Sequence, residues 1–470
     1  MPPQAVDSFM ISNASLAGTY DDMRAQGMTL SKLLDLLYRL GAEQVFAKAL
    51  APNDNSKNQI YLGGSFDSLD HLPRGEWVVA QSSSRKPKTS GKFLLQSSID
   101  FAWMEPSGAL VPAPNSKLIL YPQYPEVRFS GFLLGSQIRL GRWMNVNKQG
   151  RAAGRFLVWG VAKGQKSIGY FVTPQTKLAG ELRKKLAVAG DESATGPLIS
   201  LTESDAANSK RALLSELKKI HIASPHAGMI LRRGVRTPYK APNGGGMTLE
   251  ALLGIEPNGD ALPDFRGWEV KGHSQNTITM LTPEPDGGLY KNDGVEKFIR
   301  EYGYPDTRGR KGRMNFGGVH RADEQHARTQ LTLTLIGYSR HNMGRFDPEG
   351  FLGLIDLEDK VAASWSFAKL LNHWQTKHAN TAFVPFSTDK QKDKITYSYD
   401  KGVLLGEGTN FSHLLKGISG GHVYYDPGIK LEIVNRKNKI KRRSQFRVNK
   451  KGLPALYDSF SSHDLIQEPF

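Results

Sequence analysis

Gly244-Gly245-Gly246-Met247-Thr248-Leu249-Glu250-Ala251-Leu252-Leu253-Gly254-Ile255, resumed after a loop by Pro263-Asp264-Phe265-Arg266-Gly267-Trp268-Glu269-Val270-Lys271, decides how this 470-residue sequence is read. Thr248 is a residue type that caps a helix and Gly254 one that ends it, so a short helix presenting Glu250 is expected between them. The Gly244–Gly246 run lacks the Gly-Lys-Ser/Thr ending of a phosphate cradle and reads as a flexible approach to that helix. After an aspartate and a turn, Glu269 and Lys271 stand two apart in a strand-like run. Strand alternation puts both on one face and turns Val270 to the other, towards a core.

These residues share one chemistry. Asp264, Glu269 and the Val270 carbonyl make an oxygen donor set of the kind magnesium takes, a few carboxylates and carbonyls completed by water; manganese is an acceptable substitute. A divalent metal there would offset charge on a phosphate and acidify a water, as phosphodiester hydrolysis requires. Lys271 falls beside both, where a fixed cation can orient the water or stabilise developing charge. Glu250 stands one helix away, placed for a supporting role. The catalytic candidates are thus Glu250, Asp264, Glu269 and Lys271. An Asp, four residues, then Glu-x-Lys also fits a solvated strand edge with an incidental ion pair.

Composition narrows the alternatives. Hydrophobic residues make up 39% and charged residues 23%, which describes a globular chain. Its length exceeds what one core of roughly 250–300 residues fills, so two domains are expected. Absence of cysteine excludes disulfide scaffolds, Cys-ligated zinc, iron–sulfur clusters and thiol nucleophiles. No basic-then-apolar leader opens the sequence and no run approaches the ~20 apolar residues of a membrane span, so a cytoplasmic location is expected. A formal charge of +17, from 62 Lys+Arg against 45 Asp+Glu, suits a polyanionic partner. Solubility alone would also account for the total. The distribution is more telling, because from Lys430 to Lys451 Glu432 is the single acid among ten lysines and arginines.

Along the chain, Thr29 to Leu50 has apolar residues near helical spacing around Gly41 and reads as one or two helices. Between Gln59 and Val172, short β-branched and aromatic runs alternate with turn residues, among them 76–80, 117–121, 126–129, 155–159 and 168–172. That pattern predicts a β-rich sandwich or partial barrel. A stretch of small, polar and breaker residues at 189–197 marks a linker, and Ser204 to Ile220 predicts an amphipathic helix beyond it. The expected division is 1–190 as a β-rich accessory domain, 191–203 as linker and 204–470 as a catalytic domain.

In several blocks of roughly 225–450, in order, the sequence resembles the MvaI/BcnI restriction endonucleases, relatives of the mismatch-repair nickase MutH within the PD-(D/E)xK nucleases. Besides the Glu250 helix and the Asp264, Glu269, Lys271 set, the blocks are Ala363 to Trp374, Lys377 to Pro385, Gly406 to Thr409, Tyr424 to Lys430 and Arg443 to Arg447. The resemblance implies a mixed α/β (α+β) nuclease core clamping double-stranded DNA, with Asp264, Glu269 and Lys271 catalytic. It further implies a monomer that cuts the two strands in turn at a short site, with a dimer left open. The first 200 residues fall outside it.

The distal blocks suit a reading head. Arginine and lysine grip guanine, aspartate accepts from cytosine and glutamine pairs with adenine. Asp426, Lys430, Arg442, Arg443, Gln445 and Arg447 supply those groups, each also compatible with a phosphate contact. Arg310, Lys311 and Arg313, with His320 beyond, read as a mobile basic loop that wraps DNA or as a plain surface loop. His373, His378, Trp365 and Trp374 read as structural. In the accessory domain, cations such as Arg128, Arg139, Arg142, Lys148 and Arg151 lie among tryptophans. That mixture suggests binding of a second DNA copy or a modified base, or else a dimerisation or stability module. The expected function is a magnesium-dependent, sequence-specific restriction endonuclease acting in phage defence. A MutH-like repair nickase and a noncatalytic DNA-binding regulator are the alternatives.

Overall fold

A computed structural model describes residue 25 and residues 27–468, apart from 53–57, 64–71, 83–91, 125, 163, 165, 189–197, 202–204, 258–263, 340, 342–344, 375–377, 379, 392–393 and 435–436. The chain divides into two units. The first is Met1–Glu76, Gln96–Leu120 and Glu126–Glu203; the second is Trp77–Leu95, Tyr121–Pro125 and Ser204–Phe470. Residues 77–95 and 121–125, expected in the accessory domain, therefore belong to the second unit. There the Trp77 N–H donates to Asn372 Oδ1 (2.7 Å) and Asn372 Nδ2 donates to the Trp77 carbonyl (3.1 Å).

In the first unit the periodic segment at 29–50 splits. Thr29 caps a helix, Leu30–Arg39, that buries Leu33 and Leu37. Beyond Gly41 the chain becomes strand Ala42–Ala49, which corrects the helical reading of that half. Pairing decides the matter, because this strand lies inside a six-stranded sheet. The order is Ile199–Ser200, Ala42–Ala49, Phe156–Ala162, Lys166–Val172, Asp100–Met104, Leu110–Pro112. Strands on both sides of a central member bury side chains on both faces, and helical and strand periods then look alike. Part of the expected linker is thus a strand, with Phe46 opposite Ser200; residues 189–197 and 202–204 lie outside the described residues. Phe101 and Trp159 of this sheet pack against Phe129 of strand Glu126–Ser130 at 4.8 Å ring separation. The unit is β-rich, as its many short aromatic runs predict.

The second unit mixes helices and strands. Its main sheet is built on the long strand Asn380–Gln391, which pairs antiparallel with Lys394–Tyr399 and Gly402–Glu407 and parallel with Glu269–His273. Ser459–Asp464 extends it beyond Gly402–Glu407. Helix Asp205–Ile222, close to the expected 204–220, contributes Leu213, Leu214, Leu217 and Ile220 to one core with Leu249, Trp268, Val270, Ala382 and Leu405. Further on, Arg313–Gly317, Gly428–Val434 and Lys437–Lys441 form an antiparallel sheet with Tyr304–Pro305 at its edge. Trp365 and Trp374 are wholly buried core residues. No helix among the described residues is long and apolar enough to cross a membrane.

Candidate active site

The local fold at the site follows from glycine as much as from its carboxylates. The helix runs Gly244–Leu252, so the triple glycine is its first turn rather than an approach to it, and Thr248 lies inside it. Instead of capping, the buried Thr248 hydroxyl accepts from the Met229 N–H (3.0 Å) and faces the Met229 carbonyl (3.3 Å). Glycine is a poor helix former, and close approach explains it here. A Cβ on Gly245 would sit 2.2 Å from the Phe386 ring, and one on Gly244 2.2 Å from the Tyr397 hydroxyl. Bare backbone thus lets the helix lie against the sheet. Gly254, with φ of +76°, ends it as expected.

That close packing sets Glu250 on a half-buried face while Leu249 fills the core beneath the strand Glu269–His273. In the strand, Val270 is buried in that core and Glu269 and Lys271 share the opposite face, as alternation requires. Lys271 Nζ donates to Glu269 Oε1 at 2.9 Å, and the Glu269 side chain is 5% exposed. Asp264 comes to the same end of the strand, its Oδ2 accepting from the Val270 N–H at 3.2 Å. Asp264 is thus bound to the backbone of Val270, the residue between Glu269 and Lys271, whose side chains pair on one face of the strand. Glu250 belongs to the neighbouring helix, where its charge acts on the hydroxyl of Tyr399.

Neighbours that no local pattern could reveal complete the setting. Thr381, wholly buried, is the register partner of Glu269, and Tyr457 packs beside both. Burial, then the charge of Glu269, pushes the Tyr457 hydroxyl above its ordinary range, so it stays neutral. Trp268 Nε1 donates to Ser209 Oγ (3.3 Å), tying the strand to helix Asp205–Ile222. Burial also pushes His273 down to about 4, helped by Lys450, leaving it neutral on the strand face of Glu269 and Lys271.

The distal residues separate. Arg442 and Arg443 are exposed, and Asp426 pairs with Arg447 at 2.6 Å. Gln445 is largely buried, its carbonyl accepting from the Asp426 N–H. Arg310 and Lys311 are exposed on a hairpin turn, whose N–H groups at 308 and 310 donate to Asp306 Oδ2. Arg313 is turned inward, bound to Asp306 (3.3 Å) and Glu432 (2.9 Å). His320 corrects its expectation outright. It is 0% exposed, its Nε2 accepts from the Thr329 hydroxyl (2.9 Å) and its ring stacks on His326, so no surface remains for DNA. Its neighbours enclose it because both ring nitrogens find partners inside the fold.

Among the described residues, no three His, Asp or Glu side chains cluster as a metal cage. Magnesium commonly uses only one or two carboxylates with carbonyls and retained water, and the half-buried Asp264 and buried Glu269 are carboxylates of that kind. The family model of the MvaI/BcnI restriction endonucleases matches residues 214–457, just over half of the chain and including all four catalytic candidates. The chain belongs to the MvaI/BcnI restriction endonuclease family. It is accordingly a restriction endonuclease, a nuclease that cleaves DNA. Two solved structures of restriction endonuclease MvaI, one with its cognate DNA substrate and one without DNA, are similar to it. They share 20% and 17% identity and TM-scores of 0.41 and 0.31, over 54% of this chain and 97% of theirs in each case. No curated protein matches it.

Proposed function

We propose that this family member is a magnesium-dependent, sequence-specific endonuclease that hydrolyses phosphodiester bonds in double-stranded DNA, using Asp264, Glu269 and Lys271 with support from Glu250. The observation that supports the reading is the ion pair of Lys271 with the buried Glu269, with Asp264 bound to the backbone N–H of Val270 between them. Asp264, Glu269 and the Val270 carbonyl would hold the metal; once bound, it offsets phosphate charge and acidifies water. Lys271, held by Glu269, keeps an ammonium at the scissile phosphate and positions the water for attack. Burial of Glu269, with its charge paired to Lys271, holds the pair in place before charge develops on the phosphate. Membership of a restriction endonuclease family supports duplex DNA as the substrate.

The first unit we assign to a second, effector duplex or a modified base. Arg139, Arg142, Lys148 and Arg151 are all exposed around the short helix Gly141–Met144, a basic surface remote in sequence from the catalytic candidates. Digestion of unmodified and modified genomic DNA with magnesium, followed by sequencing of fragment ends, tests the whole reading. Defined ends that depend on magnesium are expected. Asp264→Asn should lower the rate by on the order of 10²–10³ or more while the Val270 N–H keeps an acceptor. Wild-type cleavage by that variant would remove the site assignment. Cleavage insensitive to added duplex and to modification would remove the role given to the first unit.

A further inference from the structure

The sheet of Arg313–Gly317, Gly428–Val434 and Lys437–Lys441 has two unlike faces. Register places Asn315, Lys430 and Lys441 in one row and Arg313, Glu432 and Lys439 in the next. Because side chains alternate, Lys437, Lys439 and Lys441 share the face of Lys430 and Glu432. The other face carries Phe316, Ile429 and Leu431, all buried, with Phe316 against Phe298 of helix Val295–Tyr302 at 4.6 Å. Asn438, on that second face, donates to Glu296 of the same helix (2.7 Å). The helix thus covers one side and the lysines point away from it.

Charge on the lysine face is left uncompensated. Both nearby acids, Asp306 and Glu432, are bound by Arg313. Among the described residues Lys437, Lys439 and Lys441 form no ion pair, and all three are exposed. Lys430 and Lys441 are direct cross-strand partners, a like-charge pairing that weakens a sheet. Burial, Arg313 and Lys441 all disfavour the charged form of Lys430, which reports the same crowding. An exposed edge strand with three lysines in line, at about 6.6–6.8 Å per pair of residues, matches the spacing of successive phosphates along one DNA strand.

We infer that the Lys437–Lys441 edge strand is a phosphate-tracking surface that grips one DNA strand independently of sequence, separate from the exposed arginines that follow it. This rests on the duplex-binding reading above and deepens it. Each phosphate contact contributes about 0.9 to the slope of log affinity against log salt. Three contacts therefore account for about 2.7 of that slope.

The test uses the full chain without magnesium, so that no cleavage intervenes, and a duplex of random sequence over a range of sodium chloride concentrations. Lys437→Ala, Lys439→Ala and Lys441→Ala combined should flatten the slope by about 2.7 and weaken binding at least tenfold at ~0.1 M salt. The melting temperature without DNA should hold or rise, since like charges have been removed. A control that replaces Lys219, Lys360 and Lys401, lysines of the second unit each paired with a carboxylate, should leave the slope unchanged. Wild-type slope in the edge-strand variant, or an equal loss in the control, overturns the inference while leaving the nuclease reading intact. Failure of the wild-type chain to bind any duplex would instead sink the reading on which it rests.

Discussion

Lys271→Met is the most direct probe of how the site is held. The change keeps most of the side-chain volume and removes the ammonium 2.9 Å from Glu269 Oε1. Glu269 is 4% exposed and Lys271 has 17% of its side chain exposed, so the pair is only weakly screened by solvent. Removing one partner of such a pair costs about 3–5 kcal/mol, because a charge is left buried without compensation. Glu269 has other polar surroundings, including Tyr457, which argues for the lower end, about 3 kcal/mol. Glu269→Gln combined with Lys271→Met removes both charges and should recover most of that loss. Magnesium at ~100 times its Kd adds about 2.7 kcal/mol to the native state and should mask much of the single variant's defect, without restoring cleavage. Urea unfolding with and without magnesium, beside a cleavage assay, measures all three quantities. A single variant within about 0.5 kcal/mol of wild type, or a double variant no better than the single, refutes the argument.

Two further outcomes follow from the geometry. Gly245→Ala would place a methyl 2.2 Å from the Phe386 ring, so overpacking should cost about 1–3 kcal/mol in unfolding free energy and shift Glu250; unchanged stability would deny the close approach. Burial, then the nearby His326, holds His320 down to about 3, so it is neutral in the fold and protonates near 6.5 when unfolded. Its contribution is complete above about pH 6.5 and is lost as pH falls towards 3, with a slope of up to about 1.4 kcal/mol per pH unit. Melting curves between pH 7.5 and 4.5 should show that decline and a shallower one for His320→Asn; identical slopes would contradict it.

What the sequence determined by itself were the features set by local rules. Alternation alone put Glu269 and Lys271 on one face and Val270 in the core, and the structure keeps both assignments. Breaker residues and helical period likewise located the helix after residue 204 and the end of the Glu250 helix at Gly254. Tertiary structure decided whatever depends on partners far away in the chain. Ala42–Ala49 is a strand because strands flank it on both sides, a condition its own residues do not state. Gly244 and Gly245 open the helix as glycines because Tyr397 and Phe386, far along the chain, leave room for nothing larger. Burial of His320, the move of residues 77–95 into the second unit and the placing of Tyr457 beside Glu269 are of the same kind. Periodicity and capping report the chain's energy over a few residues, whereas packing and desolvation are set by whichever surfaces the completed fold brings together.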